Sequence, residues 1–192
     1  LALACNVADS AQVDAAFAAA EAAHGPVEIA VANAGITRDG LVMRMTDEQW
    51  DAVLAVNLTG CFNTARRAVK SMMKQRYGRV VFMGSVVGLF GNAGQVNYSA
   101  TKAALVGMAR SLTREVGKRG ITFNVVAPGF IETEMTAVLP TEVTDGFKAQ
   151  TPAGRMGSVD DIANAVEFLC SERSGFISGA VIPVDGGLGM GH

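Results

Sequence analysis

The feature that most constrains this chain is an alternation of short apolar runs with segments of helical periodicity along its 192 residues. The apolar runs are LALACNV, VEIAVANAG, RVVFMGS, ITFNVVAPG and AVIPVDGG. Apolar strands that alternate with helices are typical of βα units around a parallel sheet that is covered on both faces. The sequence therefore predicts one α/β domain over residues 1–192, in which five strands form a Rossmann-like, doubly wound parallel sheet between two helical layers.

Local signals predict where the helices begin and end. Thr46 with Gln49, and Ser158 with Asp161, are pairs of the capping-box type, which mark the first turn of a helix. Gly25, followed by proline, indicates the end of the first helix. Helices are predicted from the end of the first strand to residue 25, over 47–76, over 98–118, over a short stretch near 134, and from 158 onwards.

Charge and composition argue against several classes of function. A formal net charge of −2 leaves no basic excess for nucleic acid, and no apolar run approaches the roughly 20 residues that span a bilayer. The three cysteines are far apart and form no CxxC pair, so neither disulfides nor a zinc site are expected. With only two histidines, a metal centre is also not expected. These properties predict a soluble, cytoplasmic protein.

Polar residues and glycines follow the carboxyl ends of the predicted strands, which is where open α/β sheets bind their ligands. Taken one at a time, these residues are also ordinary turn and cap residues. They are Asn6 and Val7, then Asn33, Ala34 and Gly35, then Gly84 and Ser85, and finally Pro128, Gly129, Ile131 and Thr133.

Asn57 is less easily explained as a surface residue. It lies on the apolar stripe of the predicted second helix with Trp50, Val53 and Leu54, and a buried amide needs hydrogen-bond partners. Three interpretations remain open: a satisfied core asparagine, a local irregularity of the helix, or a group that faces a functional site.

Tyr98 and Lys102 are four residues apart in a predicted helix, so they share one face of it. Ser85 ends a strand thirteen residues earlier, and the glycine-rich segment between them is able to fold back. A nearby cation lowers the pKa of a phenol from its usual value of about 10, so Lys102 would make Tyr98 a better proton donor. Ser85 would orient a carbonyl oxygen, and together the three side chains suit the reduction of a ketone by hydride.

The segments NAG, GSVVG, YSATK and APGFIETEM, together with an asparagine in the second helix, resemble the short-chain dehydrogenase/reductase family over the whole chain. Within that family, RDGLVMRMT and ISGAVIPVDGGLGMGH resemble reductases of 3-oxoacyl groups carried on acyl carrier protein in fatty acid biosynthesis. The resemblance implies a catalytic set of Asn57, Ser85, Tyr98 and Lys102.

The same resemblance implies an NADPH cofactor. It also implies a cofactor-binding role for Tyr98 and Lys102 and for these further residues: Asn6, Val7, Asn33, Ala34, Gly35, Pro128, Gly129, Ile131 and Thr133.

The resemblance further implies two partners. One is an acyl carrier protein, which is acidic and would dock on Arg76 and Arg119; ordinary solvated charges at helix ends are the alternative for these two residues. The other is a second copy of the chain, since the family implies a homotetramer. The predicted helix over 98–118 is apolar over much of its circumference, which also indicates that it is covered on both sides.

The family's glycine-rich phosphate-binding turn does not occur in this sequence, and neither does the residue that distinguishes NADP from NAD. In the family's strand order LALACNV and VEIAVANAG would not be neighbours, because two strands lie between them. We therefore expect an upstream β-α-β segment in the natural protein. Two other functions remain open: reduction or oxidation of a different ketone or alcohol, and a non-catalytic interaction module.

Overall fold

The computed structural model describes residues 1–133, 136 and 140–190. Within them, four parallel strands form one sheet in the order β1-β2-β3-β4. The strands are β1 (Ile29–Ala32), β2 (Gly78–Met83), β3 (Ile121–Pro128) and β4 (Val181–Val184). The helices are α1 (Ser10–His24), α2 (Asp47–Leu54), α3 (Gly60–Gln75), α4 (Val87–Phe90), α5 (Val96–Val116), α6 (Thr141–Gln150) and α7 (Val159–Cys170).

The helices cover both faces of the sheet, which confirms the predicted Rossmann-like α/β architecture. On one face, α3 and α5 pack against β2 and β3 in a core that includes Phe82, Leu105 and Phe123, each of which is fully buried. On the other face, α7 packs against the same two strands through Leu169 and Val126. Because β2 and β3 are buried on both faces, their sequences are continuously apolar rather than alternating.

The prediction of a strand at LALACNV is wrong. Leu1 to Asn6 carry no secondary structure, and Val7 begins a turn that leads into α1. A strand exists only where a neighbouring strand supplies its hydrogen-bond partners, and among the described residues β1 pairs with β2 alone. The expected strand order also required that LALACNV and β1 are not neighbours, and they do not pair.

Both predicted capping boxes are present, at Thr46 with Gln49 and at Ser158 with Asp161. The first helix ends at Gly25, whose φ of 86° lies in the region that favours glycine. The short helix expected near residue 134 lies outside the described residues. In the part of the chain that the structure describes, no helix is long and apolar enough to cross a bilayer.

The predicted helix over 47–76 is interrupted in its middle. Residues 55–59 form a π-helical turn between α2 and α3, with Asn57 at its centre. A π-turn inserts an extra residue into the helical ladder and is often found at functional sites. Asn57 is nevertheless fully buried, as is Val53 of the predicted apolar stripe.

Candidate active site

A cavity of about 410 Å³ lies at the carboxyl ends of the first three strands, beside the first turns of α5. Its lining combines the segments that follow β1 and β2 with the end of β3 and one face of α5. The lining residues are Asn33, Gly35, Ile36, Thr37, Arg38, Met83, Gly84, Tyr98, Lys102 and Pro128.

Tyr98 and Lys102 meet on one face of α5, as the sequence predicted. The Lys102 ammonium lies 5.5 Å from the centroid of the Tyr98 ring. Lys102 is only 5% exposed, and its Nζ donates to the carbonyl oxygen of Met83 at 2.7 Å. An ammonium has three N–H donors, so two remain for other partners.

The structure corrects the predicted effect of Lys102 on Tyr98. Burial raises the pKa of the Tyr98 hydroxyl, and the Asp39 carboxylate raises it further, while the hydrogen bond with Ser85 acts in the opposite direction. Burial also lowers the pKa of the Lys102 ammonium. Desolvation disfavours the phenolate more than its surroundings stabilise it, so Tyr98 is held as the neutral phenol.

Ser85 follows β2, and α4, which comes next, packs directly on α5, so the glycine-rich segment between Ser85 and Tyr98 does fold back. The Ser85 Oγ accepts from the backbone N–H of Val87 at 3.1 Å, in the first turn of α4. Gly88 allows α4 to lie directly on α5, because a Cβ at that position would be 2.8 Å from the Cβ of Lys102. The packing of α4 on α5 therefore fixes Ser85 beside Tyr98.

Asn57 is fully buried and its side chain is satisfied. Its Oδ1 accepts from the N–H of Ile36 at 2.8 Å, and its Nδ2 donates to the carbonyl of Ile36 at 3.0 Å and to the Thr101 hydroxyl at 3.4 Å. Two of the three interpretations are thus confirmed together, a satisfied amide and an irregular helix. The side chain fixes the segment after β1 against α5, behind the cavity wall.

Gly35 lies between two of these side chains. A Cβ there would be 3.4 Å from the Asn57 Oδ1 and 3.5 Å from the Lys102 Nζ. A larger residue would fill the space in front of the ammonium, which is where a ligand could reach the two remaining N–H donors. A Cβ at these distances would be in ordinary contact with both side chains, so only a side chain larger than alanine would obstruct this space.

The other residues predicted to bind a cofactor are spread over four places. Val7, Asn33 and Ala34 line a second cavity of about 250 Å³ beside α1. Thr133 lines a third, polar cavity under α6, and Ile131 pairs with Gly157 beside it. Gly129 packs against Asp185, and the Asn6 side chain accepts from the N–H of Ala8. Asn33 lines both cavities, so the structure brings Asn33, Gly35 and Pro128 to the cavity at Tyr98, whereas the remaining predicted residues do not line it.

Several contributors to the site were not singled out from the sequence. Ile36, Thr37, Arg38 and Met83 line the cavity, and Asn97, next to Tyr98, is completely buried. A signal for Asn97 was available, since Asn97 and Thr101 are polar residues four apart on the face of α5 that also carries Leu105.

The comparison of the sequence with known families agrees with this geometry. A family model described as Enoyl-(Acyl carrier protein) reductase matches residues 1–189. The chain belongs to the short-chain dehydrogenase/reductase family. Members of that family are oxidoreductases, and the cavity with Ser85, Tyr98 and Lys102 is this member's candidate active site.

Two similar members of the family have names that specify a reaction. The chain is 50% identical to the 3-oxoacyl-[acyl-carrier-protein] reductase MabA of Mycobacterium avium over 188 residues, which cover 98% of this chain and 74% of that protein. It is also 50% identical to the 3-oxoacyl-[acyl-carrier-protein] reductase FabG of Escherichia coli K12 over 185 residues, which cover 96% of this chain and 76% of that one.

Proposed function

We propose that this protein reduces 3-oxoacyl groups on acyl carrier protein to 3-hydroxyacyl groups, with NADPH as the reductant. The observation that carries the proposal is that Tyr98 and the buried Lys102 lie side by side on one face of α5 and line the cavity at the carboxyl ends of the strands. The relatives named above support the substrate, because both are named for it.

The reduction needs a proton for the oxygen of the ketone, and Tyr98 is the donor in this proposal. Its raised pKa keeps the phenol protonated at neutral pH, which is the form that an acid requires. Ser85 donates a second hydrogen bond to the same oxygen and orients it. Asn57 acts behind them, because its hydrogen bonds hold the segment at Ile36 against α5.

The hydride is the contribution that a bound nicotinamide cofactor would make. The residues fit such a group at Lys102, which lines the cavity with Gly35 and has two N–H donors left that suit a ribose hydroxyl. The remaining cofactor contacts in this proposal come from the family resemblance. They involve Asn6, Val7, Asn33, Ala34, Pro128, Gly129, Ile131 and Thr133.

Acyl carrier protein would dock on Arg76 and Arg119. Both side chains are exposed, and the Arg76 guanidinium donates to the carbonyl of Lys118 at 3.5 Å, so the two arginines lie close on the surface. They precede β2 and β3, whereas Tyr98 lies at the other ends of these strands. Six residues of β2 place about 20 Å between the two ends.

Because of this distance, the docking proposal depends on the proposed homotetramer. A carrier on Arg76 and Arg119 would serve the active site of a second copy if α3 and α5 of two copies pack side by side in opposite directions. The exposed Ala103 lies on the outer side of α5, where such a copy would cover it.

The first experiment is Tyr98→Phe, which removes only the hydroxyl. We expect reduction of a 3-oxoacyl thioester to fall by at least about a hundredfold, with the thermal unfolding temperature close to that of the wild type. Retention of more than a tenth of the turnover would reject Tyr98 as the proton donor. Wild-type protein that reduces 2-enoyl but not 3-oxoacyl thioesters would reject the proposed substrate.

The docking proposal is tested with Arg76→Glu and Arg119→Glu, and with Lys70→Glu on α3 as a control of equal charge change. The first two should raise the KM for carrier-linked substrate and leave a small thioester unaffected, while the control changes neither. Mixed oligomers of Tyr98→Phe with the double arginine variant should regain carrier-linked activity. Equal effects on both substrates would contradict docking.

A further inference from the structure

Asn97 connects the proton donor to the opposite wall of the cavity. Its side chain is completely buried, and it makes three hydrogen bonds to backbone groups of three different segments. Its Oδ1 accepts from the N–H of Tyr98 at 2.7 Å. Its Nδ2 donates to the carbonyl of Arg38 at 2.9 Å and to that of Gln49 in α2 at 3.5 Å.

The contact with Tyr98 compensates for a missing helix cap. α5 begins at Val96, and the residue before it, Gln95, makes no side-chain cap hydrogen bond. The N–H groups of a first turn have no partner within the helix, and Tyr98 is the third residue of α5. The Asn97 amide therefore provides from inside the helix what a cap residue normally provides from outside.

The carbonyl of Tyr98 is held as well. The Thr101 hydroxyl, one turn further along the buried face, donates to it at 2.8 Å and accepts from the Asn57 amide at 3.4 Å. Both backbone groups of Tyr98 are thus bonded to buried side chains. This leaves the phenol little freedom to move with its backbone.

The contact with Arg38 belongs to a second set of connections. The N–H of Gly40 donates to the carbonyl of Gly94 at 2.8 Å, and the Gln95 amide donates to Asp39 at 2.9 Å. These bonds tie residues 39 and 40, which directly follow the cavity-lining residues 36–38, to the segment directly before Tyr98. Among the bonds between these two segments, the one from Asn97 to Arg38 is made by a completely buried side chain.

We propose that Asn97 is a positioning residue that sets the distance between the Tyr98 hydroxyl and the cavity wall at residues 36–38. It touches neither substrate nor cofactor and acts through the backbones of Tyr98 and Arg38. The inference rests on the proposed function, in which Tyr98 delivers a proton across this cavity. Displacement of a catalytic group by about 1 Å can lower a rate by about a hundredfold, so a loosened first turn should reduce turnover.

The test compares Asn97→Ala with Asn124→Ala. Asn124 is a matched control, since it is 1% exposed and its amide also bonds two backbone groups, the carbonyl of Ile177 at 2.8 Å and the N–H of Ala180 at 3.1 Å. Asn97→Ala should lower kcat about tenfold or more and increase the solvent deuterium isotope effect on kcat, with KM for NADPH within about twofold. Asn124→Ala should lose similar thermal stability with kcat unchanged.

Hydrogen exchange supplies a readout that does not depend on activity. In Asn97→Ala, the amides of residues 36–40 and of Tyr98 should exchange faster than in the wild type, and in Asn124→Ala they should not. Asn97→Asp keeps the acceptor for Tyr98 and removes the donor to Arg38. It should therefore accelerate exchange at residues 36–40 more than at Tyr98.

The outcomes separate the two proposals. If the wild type does not reduce 3-oxoacyl thioesters, the proposed function fails, and the exchange data alone decide whether Asn97 holds the two segments together. If the wild type is active and Tyr98→Phe is not, a kcat for Asn97→Ala within twofold of Asn124→Ala would overturn the positioning role. Unchanged exchange at both segments would overturn it as well.

Discussion

A substitution at Gly88 tests whether the contact between α4 and α5 places Ser85 beside Tyr98. A Cβ at Gly88 would lie 2.8 Å from the Cβ of Lys102 and 2.9 Å from the backbone N of Ala103. Because one of these neighbours is backbone, the α5 side cannot yield by rotating a side chain. In Gly88→Ala, α4 must move by about 0.6 Å to reach an ordinary contact of 3.4 Å.

The expected cost follows from two opposing effects. Insertion of a methyl group into a well-packed contact destabilises a protein by about 1 to 3 kcal/mol, and alanine gains about 0.5 to 1 kcal/mol over glycine in a helix. The net loss is about 0 to 2.5 kcal/mol, or up to roughly 10 °C in Tm for a chain of this size. A shift of Ser85 with α4 should lower kcat about tenfold.

Calorimetry and steady-state kinetics on Gly88→Ala and Gly117→Ala provide the comparison. Gly117 has a helical φ of −57° at the end of α5, and a Cβ there would have its nearest neighbour at 4.0 Å. Gly117→Ala should therefore stabilise the protein by about 0.5 to 1 kcal/mol without a change in kcat. If both variants have the Tm and kcat of the wild type, the contact does not position Ser85.

Three further predictions concern charge and pH. Reduction should persist into the alkaline range and decline only as pH rises through the raised pKa of Tyr98. Ser85→Ala should lower kcat. It should also shift that decline to still higher pH, because hydrogen bonding from Ser85 lowers the pKa of Tyr98. Lys102→Met should weaken NADPH binding and lower kcat together, and an unchanged Kd from calorimetric titration would exclude the ribose contact. The Glu21 carboxylate, which pairs with Arg67 at 2.6 Å, has a lowered pKa, so its contribution to stability is present above its unfolded pKa and is lost as pH falls through the folded value. Acid titration of Tm should accordingly be steeper below about pH 4.5 for the wild type than for Glu21→Gln.

Features with a local cause were predictable from the sequence. The capping boxes at Thr46 and Ser158 depend on residues three positions apart, and both are present. The proximity of Tyr98 and Lys102 depends on one turn of helix, and it is confirmed. The order of strands and helices also follows from local patterns, because apolar periodicity reports which elements are buried.

The fate of LALACNV shows where a local pattern is insufficient. The run has the composition of a strand, but a strand is a pairing between segments, and the described residues offer it no partner. The π-turn at Asn57 could not be predicted from a local pattern either, since the helical pattern on both sides of it is regular. What favours the irregular turn is the pair of hydrogen bonds to Ile36, a residue 21 positions away.

The sequence by itself determined the α/β class, the boundaries of most helices, and the presence of a serine, a tyrosine and a lysine at the strand ends. Only the tertiary structure decided that burial raises the pKa of Tyr98 and that Asn97 joins Tyr98 to the cavity wall. The physical reason is that periodicity and capping act over a few residues. Desolvation and buried hydrogen bonds depend instead on neighbours that the fold brings from distant parts of the chain.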